Sequence, residues 1–120
     1  MATKRIAEVD SGSKIQVNVV NQSPHVVAYK IWVKVPGTDW LAVGEGQTAD
    51  DIADFYNLGP YPKGTLLDYW FGIGGNARTA WSALLSIAQG GHIVPGGSVG
   101  ESGTTDATGI DVRETEVRFV

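Results

Sequence analysis

The sequence predicts an all-β protein, an antiparallel β-sandwich of about six to eight short strands with one short helical insert. Two observations lead to this prediction. Apolar and polar residues alternate in several short stretches, as they do in strands that bury one face. The 16 glycines and 5 prolines fall largely between these stretches and supply turns.

The chain length of 120 residues predicts a single domain, 1–120, in which polar residues 1–12 form a flexible arm or an edge strand. A net charge of −4 argues against nucleic-acid binding, which needs a basic field. The absence of cysteine excludes disulfides, cysteine-ligated zinc and thiol catalysis. No stretch resembles a secretory signal or a transmembrane segment. We expect a soluble protein that is cytoplasmic or released without a conventional signal peptide.

Two alternating stretches predict the first strands. In "KIQVNVVNQSP", Ile15, Val17 and Val19 share a face, and residues 21–24 end the strand. "VAYKIWVKVPG" then places Lys30, Trp32 and Lys34 on the face opposite its apolar set Tyr29, Ile31, Val33 and Val35. We predict that the two strands form an antiparallel hairpin or neighbouring strands of a meander, followed by a short third strand in "DWLAVGEG".

The segment "TADDIADFYNLGP" predicts the helical insert. Thr48 can serve as the N-cap, and Asp50 and Asp51 lie in the first turn, where the helix dipole favours negative charge. Gly59-Pro60 would end the helix. On such a helix Ile52, Phe55 and Tyr56 share one face.

The second half of the chain contains further strand signals. "TLLDYWFGI" predicts an apolar strand, whereas residues 77–88 fit either a helix or a strand, and the turn-rich context favours the strand. Seven glycines between Gly90 and Gly109 predict a loop with at most a short strand at His92–Val94. The final stretch, "GIDVRETEVRFV", predicts a strand with a bulge near Glu114, because its apolar residues change face there.

No motif identifies a reaction. "GIGGNA", 72–77, lacks the full spacing of a phosphate-binding loop and a surrounding βαβ unit, so a tight bend explains its glycines more simply. His25 and His92 have no metal-ligand spacing, and no serine lies in a nucleophile elbow.

Two groups of aspartates could supply oxygen ligands to Ca²⁺. Neither group has EF-hand spacing, and a helix start and a solvated loop explain them more simply. We therefore predict no cofactor and keep calcium as the weaker alternative. The groups are Asp50, Asp51 and Asp54, and Asp106 and Asp111.

The aromatic residues point to a binding surface. Alternation in "LLDYWFGI" places Asp68 and Trp70 opposite the apolar face, so Trp32 and Trp70 both fall on predicted outer faces. Such residues suit stacking on a sugar, a membrane interface or a subunit contact. The alternative is structural, in that both strand faces are buried or the stems of Lys30 and Lys34 cover Trp32.

The stretch "IQVNVVNQSPHVVAYKIWV", 15–33, resembles the first hairpin of aegerolysins and of actinoporin-like fungal lectins. In those families, too, an alternating strand ends in Asn-x-Ser and a second strand with exposed aromatic residues follows. They are β-sandwich proteins that bind glycans or membrane lipids, so the resemblance implies a recognition function. It does not extend to the rest of the chain and assigns no site residues.

We therefore expect a non-catalytic recognition protein that binds a carbohydrate or a membrane headgroup and self-associates as a homo-oligomer. A structural protein with aromatic subunit contacts is the first alternative. An acid–base enzyme using Asp51, Asp54 and Asp68 is the second. The candidate binding residues are Trp32, Trp40, Tyr61 and Trp70 for stacking, Asn18 and Asn76 for hydrogen bonds, and Lys30 and Lys34 for an anionic group.

Overall fold

Nine β-strands make up the computed structural model, which describes residues 3–48 and 53–120; these two ranges contain no helix. None of the described elements is therefore a helix with the length and apolar character needed to cross a membrane. The strands are β1 (Thr3–Ala7), β2 (Ile15–Asn21), β3 (Val26–Lys34), β4 (Leu41–Thr48), β5 (Ala53–Leu58), β6 (Leu66–Gly74), β7 (Ala80–Gln89), β8 (His92–Thr104) and β9 (Ile110–Phe119).

The strands form two sheets, in agreement with the predicted all-β sandwich. One sheet has the order β1-β9-β6-β3-β4 and the other β5-β2-β7-β8. All neighbouring strands are antiparallel except β1 and β9, which pair in parallel at one edge of the five-stranded sheet. Only β3–β4 and β7–β8 are sequential neighbours, so most connections cross from one sheet to the other.

The inner faces of both sheets share one hydrophobic core. Alternate residues of β2, β3, β6 and β7 point into it, since successive side chains of a strand face opposite ways. The outer residues of β6, and those of β3 from Ala28 to Lys34, are half-buried. They include Trp32 and Trp70, which lie on the outer faces that the alternation predicts. The largest fully buried side chains are Tyr69, Phe71, Phe119, Ile15, Ile31, Leu67, Ile73, Leu85 and Ile87.

The predicted pairing of the first two strands is wrong, because β2 and β3 belong to different sheets. Asn21 stabilises the crossover between them. Its Nδ2 donates to the carbonyl oxygens of His25 and, at 3.2 Å, Thr48, while its Oδ1 accepts from the Ser23 amide at 3.0 Å. Alternation indicates which face of a strand is buried but does not indicate its sheet.

The predicted helical insert is also wrong within the described residues. Ala53–Leu58 is the edge strand β5, which pairs with β2. Thr48 ends β4 and is not a helix N-cap. Residues 53–58 alternate between exposed and half-buried positions, as the residues of a strand do, and the segment joins the sandwich as a strand and not as a helix. Asp50, Asp51 and Ile52 lie outside the described residues.

The strand alternative for residues 77–88 is confirmed from Ala80 onward, as β7. The predicted glycine-rich loop is wrong, because residues 92–104 form the longest strand, β8. Glycine occurs in β8 at positions where neighbouring groups approach the backbone closely. A Cβ at Gly97 would lie 2.5 Å from the Ile87 carbonyl oxygen, and one at Gly103 would lie 2.6 Å from Asp111 Oδ2.

The predicted bulge near Glu114 is absent from β9, whose register with β6 is regular from Ile110 to Arg118. The apolar residues change face because Ile110 and Val112 point outward and are 52% and 48% exposed. Irregular pairing occurs instead between β3 and β4, at Ile31/Trp32, and between β7 and β8.

Candidate ligand-binding groove

A groove of about 690 Å³ crosses the outer face of the five-stranded sheet. We call it the tryptophan groove, because three of the four tryptophans of the chain line it. Its volume lies in the range of small-molecule sites. The lining residues are Lys4, Trp32, Trp40, Asp68, Trp70, Glu114 and Glu116.

Strand register brings residues from distant parts of the sequence into the groove. Trp32 on β3 pairs with Asp68 on β6, Asp68 pairs with Glu116 on β9, and Glu116 pairs with Lys4 on β1. These four residues form one row across the sheet. Because paired positions on adjacent strands face the same way, all four side chains point to the outer surface.

The neighbouring row contains Lys30, Trp70 and Glu114. The six-membered ring of Trp70 lies over Gly72, where any Cβ would overlap it. Lys30 places its ammonium nitrogen 5.3 Å from the centre of the Trp32 ring, in a cation–π contact. The connection between β3 and β4 contributes Trp40, which is 43% exposed.

Three carboxyl groups occupy the β6–β9 side of the groove. Burial, a hydrogen bond with Glu114 and the charges of Glu114 and Glu116 raise the pKa of Asp68 to about 7, while Lys4 acts in the opposite direction. The raised pKa means that the Asp68 carboxyl group is largely protonated in weakly acidic solution. Lys4 forms an ion pair with Glu116 at 2.5 Å.

The groove therefore combines apolar ring faces with hydrogen-bonding groups. Indoles can stack against the C–H face of a sugar, and carboxylates can accept hydrogen bonds from its hydroxyls. Because Lys4 is the only cation among the lining residues, the carboxyl groups outnumber it three to one.

The structure brings together Trp32, Trp40 and Trp70 but places the fourth predicted stacking residue elsewhere. Tyr61 packs on Phe119 with ring centres 6.3 Å apart, at the edge of the core. It lines a separate depression with Val33 and Leu41. Burial raises the pKa of Tyr61.

The predicted polar residues lie outside the groove. Asn18 pairs with Phe55 and Ser86 in the other sheet, on the outer side of β2. Asn76 follows β6, and its carbonyl oxygen accepts a hydrogen bond of 2.5 Å from Thr105 Oγ1.

The two predicted lysines lie beside the groove, on the outer face of β3. Lys30 lines an adjacent depression and lies 3.9 Å from a carboxylate oxygen of Glu45. Lys34 is half-buried on the outer face of β3, where it pairs with Leu66.

Sequence reasoning did not identify Lys4, Glu114 and Glu116 as groove residues. In "RETEVRF", alternation places Glu114 and Glu116 on one face of a strand, which indicates that the two carboxyl groups lie on the same surface. The signal was incomplete because only the topology shows that β9 lies between β1 and β6.

The aspartates considered as calcium ligands or catalytic residues do not converge on one site. Asp54 Oδ2 accepts from the Tyr29 hydroxyl at 2.5 Å and lies on β5, in the other sheet from Asp68. Asp106 accepts from the Thr108 amide at 2.8 Å, and Asp111 accepts from Trp81 Nε1 at 2.8 Å. Among residues 3–48 and 53–120 no three acidic or histidine side chains form a cluster suited to a metal ion. Asp50 and Asp51 lie outside these ranges.

Comparison with known proteins adds no family to these observations. No protein-family model matches the sequence, and neither the curated proteins nor the solved structures give a match.

Proposed function

We propose that the protein is a non-catalytic recognition protein that binds a carbohydrate in the tryptophan groove. The observation that supports this proposal is the convergence of Trp32, Trp40 and Trp70 beside three carboxyl groups. Apolar ring faces next to hydrogen-bond acceptors are complementary to sugars, which present C–H faces and hydroxyl edges.

The extent of the groove favours an oligosaccharide over a single sugar ring. Its lining residues run from Trp40, just before β4, to Lys4 on β1. These strands are the two edges of the five-stranded sheet, so the groove spans roughly 19 Å at the usual spacing between strands. Trp32 and Trp70, on adjacent strands, can contact adjoining parts of one chain.

The charge of the groove favours a carbohydrate over an anionic membrane headgroup. Asp68, Glu114 and Glu116 would repel a phosphate, and Lys4 is already paired with Glu116. A neutral sugar meets no such repulsion. Binding to a membrane headgroup is therefore the alternative that the experiment below distinguishes from carbohydrate binding.

The experiment compares the parent protein with Trp32→Ala and Phe55→Ala on glycan and lipid arrays. Phe55→Ala is the matched control, because Phe55 is a 59% exposed aromatic residue on the other sheet. We expect glycan binding by the parent and by Phe55→Ala, and its loss in Trp32→Ala. Circular dichroism checks that each variant remains folded.

A silent glycan array would contradict the proposal, and so would equal binding by parent and Trp32→Ala. A response confined to the lipid array would replace the carbohydrate with a membrane headgroup as the ligand.

An acid–base enzyme acting in the same groove is a second candidate, favoured by the raised pKa of Asp68 beside Glu114. A glycosidase, however, separates its two carboxyl groups by about 5 Å or more, whereas Asp68 and Glu114 are hydrogen-bonded to each other. The test is incubation with an oligosaccharide that binds, followed by measurement of new reducing ends. Their appearance with the parent, but not with Asp68→Asn, would favour the enzyme.

We also propose that the protein self-associates, because sheet edges with unpaired backbone groups and exposed aromatic residues favour contact between copies. Analytical sedimentation measures the oligomer directly. An assembly that shields Trp32 from an aqueous quencher, together with silent arrays, would favour a structural protein over a recognition protein.

A further inference from the structure

The tryptophan groove has an unbalanced charge. Asp68, Glu114 and Glu116 line it together with one cation, Lys4, whose ammonium group is bound to Glu116. No other lining residue is ionisable, because the remaining three are tryptophans. Asp68 and Glu114 are thus left without a cationic partner among the groove residues.

The nearest basic residues on neighbouring strands do not neutralise this pair. Lys30 lies over Trp32 and near Glu45, outside the groove lining. Arg118 and Arg5 line an adjacent depression, which shares Lys4 and Glu116 with the groove but does not include Asp68 or Glu114. Lys34, the remaining cation on the outer face of β3, pairs in register with Leu66, one row away from Asp68.

The aromatic side of the groove also suits a positive charge. An indole face attracts ammonium groups through its π-electrons, and Trp32 already holds the Lys30 ammonium nitrogen 5.3 Å from its ring centre. The side of the groove nearer β9 adds carboxylates, which bind ammonium groups through charge-assisted hydrogen bonds.

We infer that the ligand of the tryptophan groove carries an ammonium group, as an oligosaccharide of amino sugars with free amines does. This inference rests on the proposed function and specifies its ligand class. The ammonium group lies between the carboxyl groups of Asp68 and Glu114, while neighbouring sugar rings contact Trp32 and Trp70.

The binding step is non-covalent and displaces a proton. Below neutral pH the Asp68 carboxyl group, whose pKa is raised to about 7, holds a proton, and the incoming ammonium group displaces it. Binding therefore releases protons, and this release is measurable as a dependence of the binding enthalpy on the ionisation enthalpy of the buffer.

The test compares oligomers of glucosamine with oligomers of N-acetylglucosamine of equal length by titration calorimetry at about pH 6. Acetylation removes the charge and keeps the sugar backbone. The proteins are the parent, Asp68→Asn, Glu114→Gln and Trp32→Ala. Glu8→Gln is the control, because it removes an exposed carboxylate that does not line the groove.

We expect the parent to bind the glucosamine oligomer roughly tenfold or more tightly than the acetylated one, as a charge-assisted hydrogen bond allows. Asp68→Asn and Glu114→Gln should lose this preference, and Glu8→Gln should keep it. Trp32→Ala should weaken both ligands, because it removes the stacking surface. Proton release should accompany glucosamine binding by the parent and disappear in Asp68→Asn.

Equal or tighter binding of the acetylated oligomer would overturn the inference and leave the proposed function standing. An unchanged preference in folded Asp68→Asn and Glu114→Gln would also overturn it. Absence of binding to both oligomers, together with a silent glycan array, would overturn the proposed function itself.

Discussion

The six-membered ring of Trp70 lies over Gly72, the next residue on the same face of β6. A β-carbon at position 72 would overlap this ring, so glycine is required for the observed position of the indole. Gly72 also pairs in register with Ala28 on β3 and Val112 on β9, so that apolar residues flank it on both neighbouring strands. The conformation of a groove tryptophan thus depends on a residue that does not itself line the groove.

Replacement of Gly72 by alanine should displace Trp70 and weaken ligand binding. We expect a loss of about 1–3 kcal/mol in the free energy of unfolding, as for other overpacking substitutions. Near-ultraviolet circular dichroism should change with the displaced indole. Gly74→Ala is the matched control, because a β-carbon at that position has no neighbour within 4 Å. Equal effects of the two substitutions would contradict this role of Gly72.

The stability of the protein should fall as the pH rises from about 4 to about 7. Burial and the neighbouring Glu114 raise the pKa of Asp68 from 3.8 to about 7. The folded state therefore binds more protons than the unfolded state in this window, so deprotonation opposes folding. Because Asp68 is only half-buried, we expect a change on the order of 1 kcal/mol.

Urea unfolding at several pH values measures this dependence. Asp68→Asn should flatten the slope between pH 4 and 7, whereas Glu8→Gln should leave it unchanged. A slope that persists in Asp68→Asn would assign the dependence to another group.

The hydroxyl of Tyr29 joins the two sheets at the β4–β5 edge. It donates to Asp54 Oδ2 at 2.5 Å and lies 2.6 Å from the Tyr56 hydroxyl. Burial and the hydrogen bond to Asp54 raise the pKa of Tyr29 far above its usual value. Gly46 provides space, since a Cβ there would lie 2.9 Å from this hydroxyl.

Removal of this hydroxyl in Tyr29→Phe should lower the free energy of unfolding by about 1–3 kcal/mol, because Asp54 loses its donor. Tyr61→Phe provides the comparison, as the Tyr61 side chain packs mainly against Phe119. Chemical denaturation of the two variants measures the difference. A Tyr29→Phe protein as stable as the parent would show that the contact contributes nothing.

Asp111 should contribute stability that is lost in acid. Burial opposes its charge, but hydrogen bonds from Trp81, Val112 and Arg113 outweigh burial and lower its pKa. The unfolded state therefore takes up a proton before the folded state as the pH falls below about 4. We expect Asp111→Asn to be less stable than the parent by about 2 kcal/mol at neutral pH. We also expect this variant to lose less stability than the parent when the pH is lowered.

A double-mutant cycle with Trp81→Phe tests the partner of Asp111. The Asp111→Asn and Trp81→Phe effects should be strongly non-additive, because Trp81 Nε1 donates to Asp111 Oδ2 at 2.8 Å. Simple addition of the two effects would contradict this coupling.

Local patterns in the sequence predicted the strands better than their arrangement. Alternation correctly placed Ile31 inside and Trp32 outside, because side-chain direction in a strand follows from the pleat alone. It did not show that β2 and β3 belong to different sheets, which depends on contacts between distant segments. The glycines of β8 predict a loop by composition, although Gly97 lies in a strand where the Ile87 carbonyl oxygen approaches too closely for a side chain.

The groove could be predicted only in part for the same reason. Trp32 and Trp70 fall on outer faces by alternation, and pairing of β3 with β6 then makes them neighbours. Lys4 and Glu116 enter the groove through the parallel pairing of β1 with β9, which no local pattern indicates. Tyr61 shows the opposite case: the sequence predicts it as a stacking residue of the binding surface, but its side chain packs against the edge of the core.

The indole N–H signals of the four tryptophans in a ¹⁵N-correlated NMR spectrum, followed during titration with an amino-sugar oligomer, test the binding claim most directly. Trp32, Trp40 and Trp70 line the groove, whereas Trp81 is 2% exposed and its indole N–H donates a hydrogen bond to Asp111. We predict saturable shifts of the three groove signals and a nearly constant Trp81 signal. If the groove signals stay unchanged with this oligomer and with every glycan tested, the tryptophan groove is not a carbohydrate-binding site.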